Sequence, residues 1–386
     1  MAKPYRVLFL SAAVGAGHAR AAEALESAFL EAFSTRLKTK VIDSFRYTNP
    51  LLSKMVVNTY IEIIKITPAV YRYLYQRAEE LDNSSEFNKL LNKLLATKLK
   101  KLIIDFRPDI IICTHAFPCG VMSVLKNKTG IRIPIVGIIT DFTVHNFWVH
   151  PNVDLYIVAA DELKDHLVGK GIKPDNICVT GIPISPKFAD KHDKLELREV
   201  LGLKPNLPTL MVMGGGLGFG PVGGIVKELS KISLPIQVIV IVGKNKTLRK
   251  KLEEIAGQLP FYLKVLGYVN NIHEIMEVSD LLITKPGGLT SSEALGKQLP
   301  MVIINPIPGQ EEKNSDFLLR NKVALEVKNL SEIKVTLESL LANPSALDEM
   351  KANTKKLGKP NSAREVVRII NKSYLQKGLE EGVGVD

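Results

Sequence analysis

Short runs rich in β-branched residues alternate with helix-patterned stretches along almost the whole chain. The first set covers 6–11, 40–43, 109–114, 133–140, 155–159 and 177–180. The second covers 209–213, 237–242, 263–266, 281–284, 301–305 and 324–327. Strands separated by helical segments are the mark of doubly wound parallel sheets. The pattern therefore predicts an α/β protein built from two Rossmann-like domains in tandem, facing each other across a cleft. The prolines of Gly181-Ile182-Pro183-Ile184-Ser185-Pro186 interrupt the alternation and mark the boundary. The expected division is 1–183, then 184–360, then a last helix near 363–375 that packs back across, and a frayed tail.

Between Asp43 and Asp109 the alternation stops, and a helical insertion is expected over about 44–108. Its runs at 51–57, 60–66 and, beyond Pro68, 69–75 place basic residues and four tyrosines among aliphatics. Such a mixture suits a bilayer interface, and it equally suits helices buried against the sheet. No apolar run approaches the ~20 residues that a membrane-spanning helix needs. The apolar start at Val7-Leu8-Phe9-Leu10 leads straight into a glycine turn, so it is read as a first strand and not as a signal peptide.

At 386 residues the chain exceeds one ordinary core, and 46% hydrophobic with 24% charged residues describes a globular protein. Three cysteines, Cys113, Cys119 and Cys178, show no metal-type spacing and fit a reduced cytosolic protein. The net charge is +11, and residues 1–150 hold 20 Lys/Arg against 12 Asp/Glu. A basic first half points to an anionic partner. Nucleic acid is not expected, because zinc spacing, aromatic RNA-binding motifs and arginine-rich helices are missing.

Candidate chemistry gathers at strand ends. Thr284-Lys285-Pro286-Gly287-Gly288-Leu289-Thr290-Ser291-Ser292-Glu293 follows an apolar run and opens a helix. A helix N-terminus offers unpaired N–H groups to a phosphate, and Glu293 could accept bonds from a ribose diol. Gly214-Gly215-Gly216 begins a second glycine-rich turn, without the Gly-Lys-Ser/Thr ending of a Walker loop. Gly267-Tyr268-Val269 could present backbone and a ring to a base. Gln310, Glu311 and Asn314 suit sugar hydroxyls, although acids at a helix start also stabilise the helix alone.

In the first half, Gly15-Ala16-Gly17-His18 stands at the first strand-to-helix turn, where His18 is a candidate general base. A capping or exposed histidine is the plainer alternative. Asp141, with His145, Trp148 and His150 close by in sequence, is a second candidate to orient or deprotonate an acceptor. There is no Asp-x-Asp pair and no metal-ligand spacing among the histidines, so no metal and no other cofactor is expected.

This ordered set resembles glycosyltransferase family 28, and within it the diacylglycerol sugar transferases. The resemblance covers nearly the whole length. It rests on Gly15–His18, Thr140-Asp141 with His145, and Trp148 to Asp154. Gly214–Gly216, Gly243-Lys244-Asn245, Pro286–Thr290 with Glu293, and Pro308–Glu311 with Asn314 complete it. It implies a GT-B fold, with the acceptor in the first domain and the nucleotide sugar mainly in the second. It implies inverting transfer of glucose or galactose from a UDP-sugar to diacylglycerol, without an obligatory metal. The expected setting is peripheral, on anionic lipid at the cytoplasmic face of the membrane. Gly287, Gly288 and Thr290 then take the phosphates, Glu293 the ribose, Gln310, Glu311 and Asn314 the hexose, and Gly267 to Val269 border the uracil. His18 corresponds to the family's suspected base, with Asp141 as competitor or partner. Transfer to a polyprenyl-linked precursor, or a non-catalytic nucleotide-sugar-binding regulator, are the alternatives.

Overall fold

The structure is a computed structural model that describes residues 4–12, 16–48, 86–214 and 220–376, with backbone alone for 86–94. The chain divides into two compact units, Met1–Pro186 with Asn361–Asp386, and Lys187–Pro360. The helical runs expected at 51–57, 60–66 and 69–75 lie outside the described residues.

The first unit holds strands β1 (Tyr5–Ser11), β2 (Leu37–Asp43), β3 (Ile110–Cys113), β4 (Ile135–Ile138), β5 (Leu155–Val158) and β6 (Ile177–Val179). Its helices among the described residues are α1 (Gly17–Phe33), α2 (Ser44–Thr48), α3 (Glu86–Phe106), α4 (Ala116–Thr129) and α5 (Asp161–Gly169). The sheet order is β2-β1-β3-β4-β5-β6, and every pairing is parallel. Central strands buried on both faces must be apolar throughout, and Val7 to Leu10 and Ile110 to Cys113 are. β2 is the edge strand and starts at Leu37, three residues before the expected 40. Lys38 and Lys40 point to solvent there, so only the alternation of one covered face marks it as a strand.

The second unit holds α6 (Lys194–Val200), β7 (Thr209–Met213), α7 (Val222–Leu229), β8 (Gln237–Ile241), α8 (Lys246–Ile255) and β9 (Tyr262–Leu266). It continues with α9 (Ile272–Val278), β10 (Leu281–Thr284), α10 (Gly288–Gly296), β11 (Met301–Ile304), α11 (Gln310–Arg320), β12 (Ala324–Val327), α12 (Ile333–Leu341) and α13 (Pro344–Leu357). The sheet order is β12-β11-β10-β7-β8-β9, again all parallel. Asp280, just before β10, ties this unit together. It accepts from Lys194 at 2.8 Å, Arg198 at 2.7 Å and the Thr209 N–H at 2.8 Å.

The chain then returns. α14 (Ser362–Ile370) packs on α1 in the first unit, where Val366, Val367 and Ile370 share a core with Phe9, Leu25, Phe29 and Ile112. Ser362 locks the return, since its hydroxyl donates to Ile182 O at 2.9 Å and accepts from Ile184 N at 3.2 Å.

Each sheet has one point where the strand order reverses, between β1 and β3 in the first unit and between β7 and β10 in the second. Ligands of such sheets bind beyond the carboxyl ends of the strands at that point.

Candidate functional site

In the first unit the reversal point brings His18, Thr114 and Thr140 together. Gly17 and His18 are the first two residues of α1, whose first turn carries no side-chain cap and no acid. His18 Nδ1 lies 2.9 Å from the Thr114 carbonyl oxygen and 2.7 Å from Thr140 Oγ1. A carbonyl only accepts, so Nδ1 carries the proton and Nε2 keeps its lone pair. Burial lowers the His18 pKa to about 4, against the opposing pull of the Thr114 hydrogen bond. The ring is therefore neutral near pH 7, with one basic nitrogen. It is half-buried, not an exposed or capping histidine.

His115 packs edge-on against His18, with ring centroids 4.6 Å apart. Its Nδ1 accepts the Phe117 N–H at 3.1 Å, so its own proton sits on Nε2. Burial, with the neighbouring His18, holds His115 well below the usual histidine range. Ser11, Ser44 and Thr114 each bury a hydroxyl oxygen without a hydrogen-bond partner. Ser11 is the last residue of β1, and Ser44 and Thr114 directly follow β2 and β3, so among the described residues these strand ends present hydrogen-bonding capacity left unused.

Asp141 is buried, three residues beyond the end of β4. Its neighbour Thr140 is the residue that reaches His18. His145, Trp148 and His150 form a loop scaffold. His145 Nδ1 caps the Phe147 N–H at 3.1 Å, and the Tyr156 hydroxyl lies 2.8 Å from Trp148 O and accepts the His150 N–H at 3.0 Å. The His150 ring fills the place of a side chain at Gly120, where a Cβ would fall 2.7 Å from its Nε2.

In the second unit the β7–β10 pairing sets two turns side by side. Thr284 stands opposite Met213, and its hydroxyl donates to Met213 O at 2.9 Å. Gly214 follows β7, and a Cβ on Gly220 would meet Gly214 Cα at 3.5 Å and Lys285 Cε at 4.0 Å. Pro286 is buried, Gly287 is the N-cap of α10, and Gly288 opens that helix. The first turn of α10 has no side-chain cap and no acid, and a Cβ at Gly287 would meet nothing within 4 Å. The helix thus leaves its N–H groups and partial positive charge available to an anion. Thr290 is half-buried one turn in, Ser291 buries an unpartnered hydroxyl, and Glu293 is buried further along.

α11 differs at its start. Glu312 accepts the Gly309 N–H at 2.9 Å, and Glu311 accepts the Ile307 N–H at 2.7 Å. Gly309 has φ +85°, a conformation that favours glycine. This N-terminus is closed by its own carboxylates, so one Glu311 oxygen is committed to the turn. Burial raises the Glu311 pKa, against the opposing pulls of that hydrogen bond and of the Lys285 charge. Gln310 is half-buried and Asn314 fully buried on the same helix. Gly267, Tyr268 and Val269 follow β9. Tyr268 is exposed, with Lys244 Nζ 6.0 Å from its ring centre, and a Cβ on Gly267 would meet Gly243 O at 3.6 Å.

Gly15, Gly215 and Gly216 lie outside the described residues. Thr114, His115 and Lys285 join the site from beyond the expected set. Thr114 and Lys285 directly follow β3 and β10, and His115 comes one residue later, so all three lie just past a strand end, as Asp141 does. Among the described residues, the His/Glu grouping close enough to share a cation is His192, His273 and Glu274, and it contains none of these site residues.

Two family models cover most of the chain. Residues 18–184 match the monogalactosyldiacylglycerol (MGDG) synthase model, and residues 209–366 match the glycosyltransferase family 28 C-terminal domain. The processive diacylglycerol beta-glucosyltransferase of Bacillus subtilis (strain 168) is 35% identical over 371 residues, 95% of each chain. That of Bacillus cereus (strain AH187) is 35% identical over 378 residues, covering 96% of this chain and 94% of the relative. Among solved structures, Acinetobacter baumannii MurG aligns with TM-score 0.63 at 13% identity, over 96% of this chain and 100% of that one. Anabaena Alr3699/HepE in complex with UDP-glucose aligns with TM-score 0.55 at 13% identity, over 95% of this chain and 99% of that one. The two parallel sheets are those of the GT-B fold, and the chain belongs to glycosyltransferase family 28, in the branch of the monogalactosyldiacylglycerol synthases and processive diacylglycerol glucosyltransferases.

Proposed function

We propose that the protein transfers glucose from UDP-glucose to the hydroxyl of diacylglycerol, with inversion, at a membrane surface. Family membership supports diacylglycerol glycosyltransfer, and the relatives' names favour glucose over galactose and more than one round of addition. The observation that carries the chemistry is the tautomer of His18, which leaves a basic Nε2 on a half-buried neutral ring.

Nε2 takes the acceptor hydroxyl proton as the oxygen attacks the anomeric carbon. The bond from that carbon to the UDP oxygen breaks, and the electron pair leaves with UDP. The open N-terminus of α10, Gly214 and Lys285 meet the charge that develops on the diphosphate, so no metal is required. Glu293 holds the ribose, Gln310, Asn314 and the remaining Glu311 oxygen hold the hexose, and Gly267 to Val269 border the uracil. On the first unit, α3 buries Leu95, Leu99 and Leu102 and turns Lys98, Lys100, Lys101 and Ile104 outward. That basic face supports docking on anionic lipid. Among the described residues no helix is long and apolar enough to cross a membrane.

The test is purified protein with diacylglycerol in anionic vesicles and radiolabelled UDP-glucose or UDP-galactose. Labelled glycolipid from UDP-glucose, with a β-linkage, supports the proposal. Label entering only a polyprenyl acceptor, or no acceptor at all, rejects it.

A further inference from the structure

The chain enters the second unit through 187–193, before α6. On this stretch the Phe188 ring packs edge-on against His273 at 6.0 Å, and the His192 ring lies 5.9 Å from the same residue. His273 and Glu274 are in the first turn of α9. One donor atom from each of His192, His273 and Glu274 lies within 4.8 Å of the others.

Three details point to a ligand. His192 buries Nε2 without a hydrogen-bond partner, a state that costs on the order of 1–3 kcal/mol when nothing fills it. His273 Nε2 stands 3.8 Å from Glu274 Oε1, too far for a hydrogen bond. The other Glu274 oxygen accepts from Asn271 Nδ2 at 2.7 Å, which fixes the carboxylate while leaving Oε1 towards the histidine. Lys187 and Lys297 are the cationic groups that face His273. Of the two lysines, Lys297 is paired with Glu277.

We propose that His192, His273 and Glu274 bind one divalent cation of the zinc class, which pins the entry segment 187–193 to α9. Two imidazole nitrogens and one carboxylate oxygen suit zinc, cobalt or nickel, whereas magnesium and calcium take oxygen donors. Metal–nitrogen bonds of about 2.0–2.1 Å place tetrahedral donors roughly 3.3 Å apart, which rotation of the loop-borne His192 side chain can supply. Asn271 holds the ligating carboxylate in place. The ion is a structural clip. His273 comes four residues after Val269 in the chain, so the ion steadies the turn that follows β9. The transfer step does not use it.

The experiment uses full-length, tag-free protein stripped of metal. Zinc is titrated against a chromophoric chelator, and cobalt(II) is followed by its visible absorption. One zinc per chain and tetrahedral-type cobalt bands are expected. His192→Ala and Glu274→Gln should each lower zinc affinity by at least about 100-fold, and Asn271→Ala by about 10-fold. His18→Ala should leave zinc affinity unchanged, and zinc should raise the thermal midpoint of the wild type but not of His192→Ala. The proposal is overturned if His192→Ala binds zinc as tightly as the wild type, if neither binds it, or if His18→Ala alone abolishes binding. Circular dichroism and retained UDP binding verify that each variant is folded.

Discussion

The Nδ1 of His18 lies 2.9 Å from the main-chain oxygen of Thr114, a contact made possible because β1 and β3 are neighbours in the sheet. That one acceptor decides which nitrogen can work as a base. His18→Ala should lower kcat by roughly 10²–10⁴ while UDP-sugar affinity stays within about twofold. Thr140→Val should cost far less, because the Thr114 oxygen still holds the ring. Turnover close to wild type in His18→Ala would pass the role to Asp141, and Asp141→Asn is the companion measurement.

The same burial sets the pH response. The folded pKa of His18 is about 4, below its ordinary 6.5, so the acid limb of kcat/KM should fall as pH drops through about 4, not through 6.5. Between those values the unfolded chain binds a proton that the folded chain refuses, so stability is lost as pH falls through that window. Burial lowers His115, His150 and His273 in the same direction. Tm at constant ionic strength should therefore decrease from pH 7 to pH 5. An unchanged Tm would contradict the assignment.

Two glycines should respond in opposite ways to one methyl group. At Gly287 a Cβ meets nothing within 4 Å, so Gly287→Ala should fold normally but bind UDP at least about 10-fold more weakly, since the methyl occupies the space left for phosphate. At Gly358 a Cβ lies 2.9 Å from the Leu295 carbonyl carbon, on a backbone that has no room to yield. Gly358→Ala should lose about 1–3 kcal/mol of stability, read by denaturant unfolding.

Reversing Lys98, Lys100 and Lys101 to glutamate should weaken sedimentation with anionic vesicles by roughly 100-fold or more, at about 1 kcal/mol per charge. Binding to neutral vesicles and UDP affinity should stay as they are. Equal loss on neutral vesicles would show that α3 contributes packing and not charge.

The twelve strands and the glycine-led turn into α10 could be read from the residues, because buried parallel strands are apolar throughout and their ends carry polar residues or glycine. The start of β2 was harder to see, since Lys38 and Lys40 on an exposed edge look like a loop. His145 and His150 stand near Asp141 in sequence, yet their rings cap a turn and fill the space at Gly120. Proximity along the chain does not report which way a ring points. His115 went unmarked for the converse reason. It is 97 residues from His18, and only the placement of β3 beside β1 brings them into contact. Glu311 is ambiguous on chemistry alone, because a carboxylate at a helix start serves a sugar and a backbone N–H equally well.

The return of α14 has a consequence for how the molecule comes into being. A ribosome delivers Phe9 and Leu25 early and Val366 and Ile370 last, yet all four belong to one core. The second unit, continuous from Lys187 to Pro360, is complete while the first still lacks its closing helix. A nascent chain halted at Pro360 should therefore yield a protease-resistant second half and a labile first half. The half that carries His18 should then be the last to become native.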